Sequence, residues 1–304
     1  MAVINQRSEL VFLYDIKDAN PNGDPLDANK PRIDEETGIN LVTDVRLKRT
    51  IRDYLFDYKG FNGEDGKDIF VREIKNDDKS IQDGKERAKD FKEDPKKVLD
   101  QCIDVRMFGG VIPLTGDSIT YTGPVQFQMG RSLNKVELKY IKGTGAFASG
   151  ANKTKKTFRE EYVVPYSLIG FYGIINENAA QSTELTQNDV ALLMEGVWKG
   201  TKNLITRSKV GQTPRMLLKV NYSEENYFIG ELKNYIKLAT DLREEEIRDT
   251  SDYKLDVSDL LSVIEANSEK IESVEFKVNP RVAFIRDSNK INLNDLDLFK
   301  ELDF

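Results

Sequence analysis

Asp15, Asp18, Asp24, Asp27 and Asp34 crowd into residues 15–34. Carboxylates at that density could hold a divalent metal for phosphodiester cleavage. Asp18, Asn20 and Asn22, followed by Gly23, also match the opening of a calcium loop, D-x-N-x-N-G. Such a loop needs a bidentate Glu at its twelfth position, where Asn29 stands, and Pro21 lies inside the turn that must wrap the ion. Calcium is set aside and no metal is expected. Asp and Asn are turn formers whose side chains satisfy their own backbone, and that is the preferred reading of the acids.

The chain of 304 residues contains no histidine, which removes Ser-His-Asp and Cys-His catalysis and imidazole metal sites. The single cysteine, Cys102, excludes an internal disulfide and a cysteine-rich zinc site. Gly143, Gly145 and Gly150 miss the spacing of a dinucleotide fingerprint, and no P-loop is present, so no cofactor is expected. The balance favours binding or scaffolding over catalysis. The N-terminus lacks a secretory pattern and no apolar run reaches a membrane span, so a cytoplasmic protein without a membrane partner is expected.

The net charge of −7 argues against a nucleic-acid partner only until its distribution is read. From Arg131 to Arg159 there are eight Lys or Arg and one acid, Glu137. From Gly196 to Lys219 there are six bases and no acid, and the stretch after Val220 is acidic, with 20 Asp or Glu against 11 Lys or Arg. Segregation of this kind leaves room for a basic track on an acidic body. Arg46, Lys48, Arg49 and Arg52 crowd one arc, with Asp53 the acid near enough to pair. "TRSKVGQTPR" adds Arg207, Lys209 and Arg215 with donors from Ser208, Gln212 and Thr213, and Gln126, Gln128, Arg131 and Ser132 supply more at a strand end. Donors of these types suit phosphate and sugar.

Elements must position these groups. Residues 9–16 read as a strand buried on both faces. "LVTDVRLKRTIRDYLFDY" reads as a helix with Thr43 as N-cap and Leu47, Ile51, Tyr54, Leu55 and Tyr58 on its buried face. Residues 59–100 read as a charged excursion with short helices. "ITYTGPVQFQM" alternates Val125, Phe127 and Met129 against Gln126 and Gln128, as a half-exposed strand does. Residues 131–159 are basic, glycine-rich and poorly patterned, with Phe147 stranded among polar neighbours. "EYVVPYSLIGFYGII" returns to strand character. Thr186 and Asp189 open a second helix with a capping box, and Val190, Leu193, Met194 and Val197 define its buried face. "PRMLLKVNY" closes as an alternating strand, and "DVSDLLSVIEAN" and "RVAFIRD" supply a helix and a strand near the end. The order strand, helix, two strands, helix, strand is the split βαβ, ferredoxin-like pattern of an α+β RNA-recognition fold with large insertions.

"YDIKDANPNGDP", "PRIDEETGINLVTDVRLKRTIRDYL", "GPVQFQMGRS" and "VPYSLIGFYGII" together resemble the backbone subunit of CRISPR Cascade surveillance complexes. That subunit belongs to the RAMP superfamily, and the likeness runs to its type I-B branch, with type I-C near. The resemblance implies a modified RNA-recognition fold shaped like a hand. Its palm would be 1–56 with 116–130 and 162–225, its fingers or web 57–115, its thumb hairpin 131–161, and residues 226–304 would pack on the palm. Copies would polymerise into a helical filament along a crRNA and support pairing with a target DNA strand, beside other Cascade subunits and a recruited helicase-nuclease. RNA contacts are expected at Asn22, Arg32, Arg46, Lys48, Arg49, Arg52, Gln126, Gln128, Arg131, Ser132, Lys153, Lys155, Lys156, Arg207, Lys209 and Arg215, with Phe147 as the candidate thumb wedge. No enzymatic activity is expected. The alternative is a metal-dependent ribonuclease of the type III kind, using Asp15, Asp18 or Asp24.

Overall fold

A computed structural model describes the backbone of residues 2–148 and 156–304, and side chains outside 144–159. The apolar run at the N-terminus forms β1 (Ser8–Ala19), buried without interruption from Ser8 to Ile16. After a loop carrying two short paired strands, Gly23–Asp24 with Lys30–Pro31, the chain makes β2 (Ile39–Val42) and enters α1 (Asp44–Lys59). Thr43 caps α1 as expected, and Gly60 ends it in the left-handed region at φ 73°. Three short helices follow: α2 (Gly84–Asp90), α3 (Pro95–Gln101) and α4 (Ile103–Phe108). A hairpin, β3 (Gly109–Leu114) with β4 (Asp117–Thr122), leads to β5 (Val125–Phe127) and β6 (Gly130–Lys135). Then come β7 (Lys139–Ala148) and the long β8 (Lys156–Ile175). Helices α5 (Glu177–Thr183) and α6 (Gln187–Glu195) precede β9 (Thr213–Tyr222). The C-terminal part contributes α7 (Ser258–Ala266), β10 (Ile271–Val278) and β11 (Phe299–Glu301).

One large sheet organises the chain, in the order β11–β10–β9–β1–β8–β6–β2 and on to Ile33–Asp34, with β5 and β7 also paired to β8. β1 is antiparallel to both neighbours, with Phe12 opposite Phe171 of β8 and Leu217 of β9. Alternation along β1 sends Leu10, Phe12, Tyr14 and Ile16 to one side, against α1, α6 and the glycine-rich turn that follows α6. Val11 and Leu13 face the other side, where the C-terminal part packs with Leu255, Leu260, Ile264 and Phe276. This second layer makes β9 buried on both faces instead of alternating. Glu9, fully buried, pins the layer in place: the hydroxyls of Tyr172 and Tyr222 and the N–H groups of Ile229 and Gly230 all donate to its carboxylate.

The 59–100 excursion carries the short helices expected of it, α2 and α3, and adds a core of its own, in which Phe70, Ala88, Phe91, Val98, Leu99 and Cys102 pack with Val105 and Ile112. Two local expectations are corrected. Much of 131–159 is regular strand: β6 pairs in the main sheet with β2 and β8, and β7 pairs antiparallel with the first part of β8. Tyr58 leaves the buried face of α1 and is 59% exposed, because the helix outruns the layer beneath it.

Candidate nucleic-acid interface

The opening loop earns its Asn and Pro residues by setting the start of α1. Asn22 Oδ1 accepts from the Thr43 N–H (2.9 Å) and from its hydroxyl (3.0 Å), while Thr43 Oγ1 accepts from the Arg46 N–H (3.2 Å). A side chain thus fixes the residue that caps the helix. On its inner face α1 lies against residues 196–200. A Cβ on Gly200 would sit 3.1 Å from the Thr50 carbonyl oxygen, so glycine is what lets the two backbones approach. At its far end Glu195 receives the Tyr54 hydroxyl (2.9 Å) and the ammonium groups of Lys199 (2.8 Å) and Lys59 (2.7 Å). Burial pushes this carboxyl up, but the three donors outweigh it and the pKa falls to about 2.

The four bases of α1 divide into different environments. Arg52 is held at 2.8 Å by the fully buried Asp104, which also accepts the N–H groups of Phe70 (2.7 Å) and Val71 (3.1 Å). Lys48 lies 3.1 Å from Asp44 and donates to Gln126 Oε1 (3.1 Å). Arg49 is exposed and pairs with Asp53 one turn on, at 2.6 Å. Arg46 is half-buried and donates to the Thr50 hydroxyl (3.1 Å), and among the described residues no carboxylate lies within ion-pair distance of it. Burial pulls its guanidinium below the ordinary value. Lys209 stands close by and is shifted down by burial and then by Arg46. This corner of α1 and the 201–212 connector therefore gathers Arg46, Arg49 and Lys209 around Asp53, a local excess of positive charge, which suits an anion.

Other sequence-predicted residues are distributed more widely. Arg32 pairs with Asp24 at 2.9 Å, and Arg131, 44% exposed along its side chain, with Asp34 at 2.8 Å. Gln128 is exposed, while Gln126 also donates to the Gly123 carbonyl (2.9 Å). Ser132 is buried, donating to the Asn134 carbonyl and accepting from the Asn40 N–H. Arg207 is exposed, 3.5 Å from Glu161. Arg215 sits in the core, 2.8 Å from Asp15 Oδ2, which also accepts the Tyr166 hydroxyl at 2.7 Å. Burial holds the Asp15 carboxyl above its usual range despite both donors. The geometry of Arg215 and Ser132 is that of groups closing the fold. Lys153 and Lys155 lie outside the described residues, as do the side chains of Phe147 and Lys156. One cation that sequence reading missed is Lys233, half-buried beside Arg131 in the turn after residue 231. Its place in the acidic stretch after Val220 hid it.

The acids of the opening loop do not converge. Asp24 and Asp27 pair with Arg32 and Lys30, Asp34 with Arg131, and Asp15 is enclosed. Among the described residues no three metal-ligating side chains form a cluster. Among them, too, no helix is long and apolar enough to cross a membrane.

The fold is thus one large sheet that carries the β7–β8 hairpin and a helix, α1, with a cationic N-terminal corner. The family model for CRISPR-associated protein Cas7 matches residues 6–258, and the chain belongs to that family. It is 34% identical to a CRISPR-associated protein Cas7 of Haloferax volcanii, over 90% of this chain and 87% of that protein. Its fold is shared with a chain of a CRISPR RNA-guided surveillance complex in a pre-nicking state, at a TM-score of 0.56 and 10% identity, covering 98% of this chain and 96% of the other. A chain of a second such surveillance complex gives the same TM-score at 12% identity, covering 98% and 95%.

Proposed function

We propose that this protein is the crRNA-binding backbone subunit of a type I, I-B-like Cascade complex, polymerising along the guide and supporting its pairing with target DNA. The observation that carries the reading is that half-buried Arg46 and Lys209, beside exposed Arg49, have no ion-paired carboxylate among the described residues, on a chain of net charge −7. A subunit that must hold any guide sequence contacts phosphate and sugar and leaves base edges free. Arg131 and Gln128, exposed at the strand ends, extend the donors.

In this reading the sheet order β9–β1–β8–β6 with α1 and α6 forms a modified RNA-recognition palm, comprising 1–56, 116–130 and 162–225. Residues 57–115 act as fingers, 226–304 brace the palm, and the thumb lies within 131–161, its free arm being β7 with the start of β8. Further copies, other Cascade subunits and a helicase-nuclease are the partners, in the cytoplasm. The subunit itself performs no catalysis: Asp15, within β1, is engaged by Arg215 and Tyr166 and stands above its ordinary pKa. Incubating the assembled complex with complementary RNA and magnesium tests that point, since cleavage abolished by Asp15→Ala, Asp18→Ala or Asp24→Ala would restore the ribonuclease alternative. The main test is to purify the protein with its operon neighbours and sequence the RNA that accompanies it. Guides of defined length support the reading; a particle free of RNA contradicts it.

A further inference from the structure

A groove of about 390 Å³ opens between α7 and the segment that leads into β11, on the side of the main sheet opposite α1. Its floor is apolar. Leu261 and Ile264 of α7 are buried there, and Leu296, Leu298 and Phe299 are only half-covered. Phe299 is held by Phe276, with ring centres 5.9 Å apart, so the floor is set before anything docks on it. The rim is acidic: Glu265, Asp295 and Asp297 line it, and among the described residues no Lys or Arg does. Exposure alternates along the segment, with Asp295 and Asp297 outward and Leu296 and Leu298 half-buried. Leu296 is extended, at φ −102° and ψ 128°, which sets the two carboxylates about 6–7 Å apart.

The charge on the rim selects the kind of occupant. Arg286 answers Glu265 with two hydrogen bonds, at 2.5 and 2.7 Å. Asp295 and Asp297 have no cation within ion-pair distance among the described residues, and Asp295–Asp303 holds four acids against one base, Lys300. Such a rim repels phosphate and attracts Lys or Arg, while the floor calls for apolar side chains. β11 closes the main sheet at this edge, but it is three residues long and carries Lys300, which discourages an added strand. A helix satisfies its own backbone, and cations one turn apart on it stand about 6 Å from each other, matching the two aspartates.

We propose that this groove docks a basic amphipathic helix of a different protein, its apolar side chains on Leu296, Leu298 and Phe299 and its cations against Asp295 and Asp297. The surface needs no nucleic acid and is independent of the cationic corner of α1. All of its lining residues follow residue 258, where the match to the Cas7 family model ends.

The test titrates nucleic-acid-free full-length protein into two fluorescein-labelled helical peptides that share a leucine face, one with lysine and one with glutamate on its polar face, and reads anisotropy. The lysine peptide should bind and the glutamate peptide should not. Binding should weaken about tenfold in the double variant Asp295→Asn with Asp297→Asn, whose positions are exposed and whose melting should match wild type. Ser268→Trp, which plugs the groove from an exposed position, should abolish it. Glu35→Gln with Glu36→Gln removes the same charge at an exposed site elsewhere and should leave it unchanged. Equal weakening by the two charge variants would mean attraction to the acidic body as a whole and overturns the proposal. So does a lysine peptide that fails to bind wild type, or a glutamate peptide that binds as tightly. Dimerisation of the wild type in light scattering, lost in Ser268→Trp, would make a second copy the occupant and overturn the assignment to a different protein.

Discussion

Arg46 and Arg52 stand on the same helix, and the fold treats them in opposite ways. Arg52 turns toward the 57–115 insertion, over the Phe108 ring, and meets the fully buried Asp104. Arg46 turns toward the 201–212 connector and meets another cation, Lys209. Two arginines that look alike in the sequence thus serve different ends. A guanidinium closed by a buried carboxylate fastens one part of the fold to another; one without an ion-paired carboxylate is, in the function proposed, the one that meets an external anion.

The largest effect that could break this comparison lies at the closed end. Asp104→Ala should cost about 3–5 kcal/mol in chemical denaturation, because it strands Arg52 and the N–H groups of Phe70 and Val71 in a buried seam. A loss below ~1 kcal/mol would mean that the seam does not hold the insertion. Glu195 is the next test. Its carboxyl stands near 2 in the folded chain against 4.5 ordinarily, so its contribution is complete above about pH 4.5 and disappears as pH falls toward 2. Glu195→Gln should therefore lose about 1–3 kcal/mol at pH 7, with the difference from wild type closing across that acidic window. A gap independent of pH would refute the charge-based account.

Smaller effects sharpen the contrast. Asn22→Ala should cost about 1 kcal/mol and fray the first turn of α1, read by amide hydrogen exchange at Arg46 and Leu47, since Thr43 loses its support. Arg49→Ala should leave stability within about 0.5 kcal/mol of wild type. It should instead flatten the salt dependence of guide retention by about one unit.

What was legible in the sequence follows the range of the forces involved. β1 and α1 were readable because an apolar run and a 3.6-residue period capped by Thr43 are local signals. The 131–159 stretch read as unpatterned because Lys139–Lys142 of β7 is exposed and the sequence around it is rich in Lys and Gly, with no run of apolar residues to alternate. The small core of Phe70, Phe91, Leu99 and Ile112 was hidden because its members are scattered along a charged segment. The site divides in the same way. The basic run of 196–219 seemed free of acid, yet Lys199 meets Glu195, Arg215 meets Asp15 and Lys219 meets Glu275. Only the fold, by bringing distant strands together, shows which cations remain open. Arg46 and Lys209 were named from the sequence among many others; what distinguishes them is that no carboxylate among the described residues is ion-paired with them, which no spacing rule reports.

The most direct measurement is the salt dependence of guide retention by the assembled complex, wild type against Arg46→Met. An open cation that grips the guide predicts a slope shallower by about one unit and a subunit melting temperature that is unchanged or raised. An unchanged slope, with a melting temperature that drops as it would for a core arginine, would contradict the account.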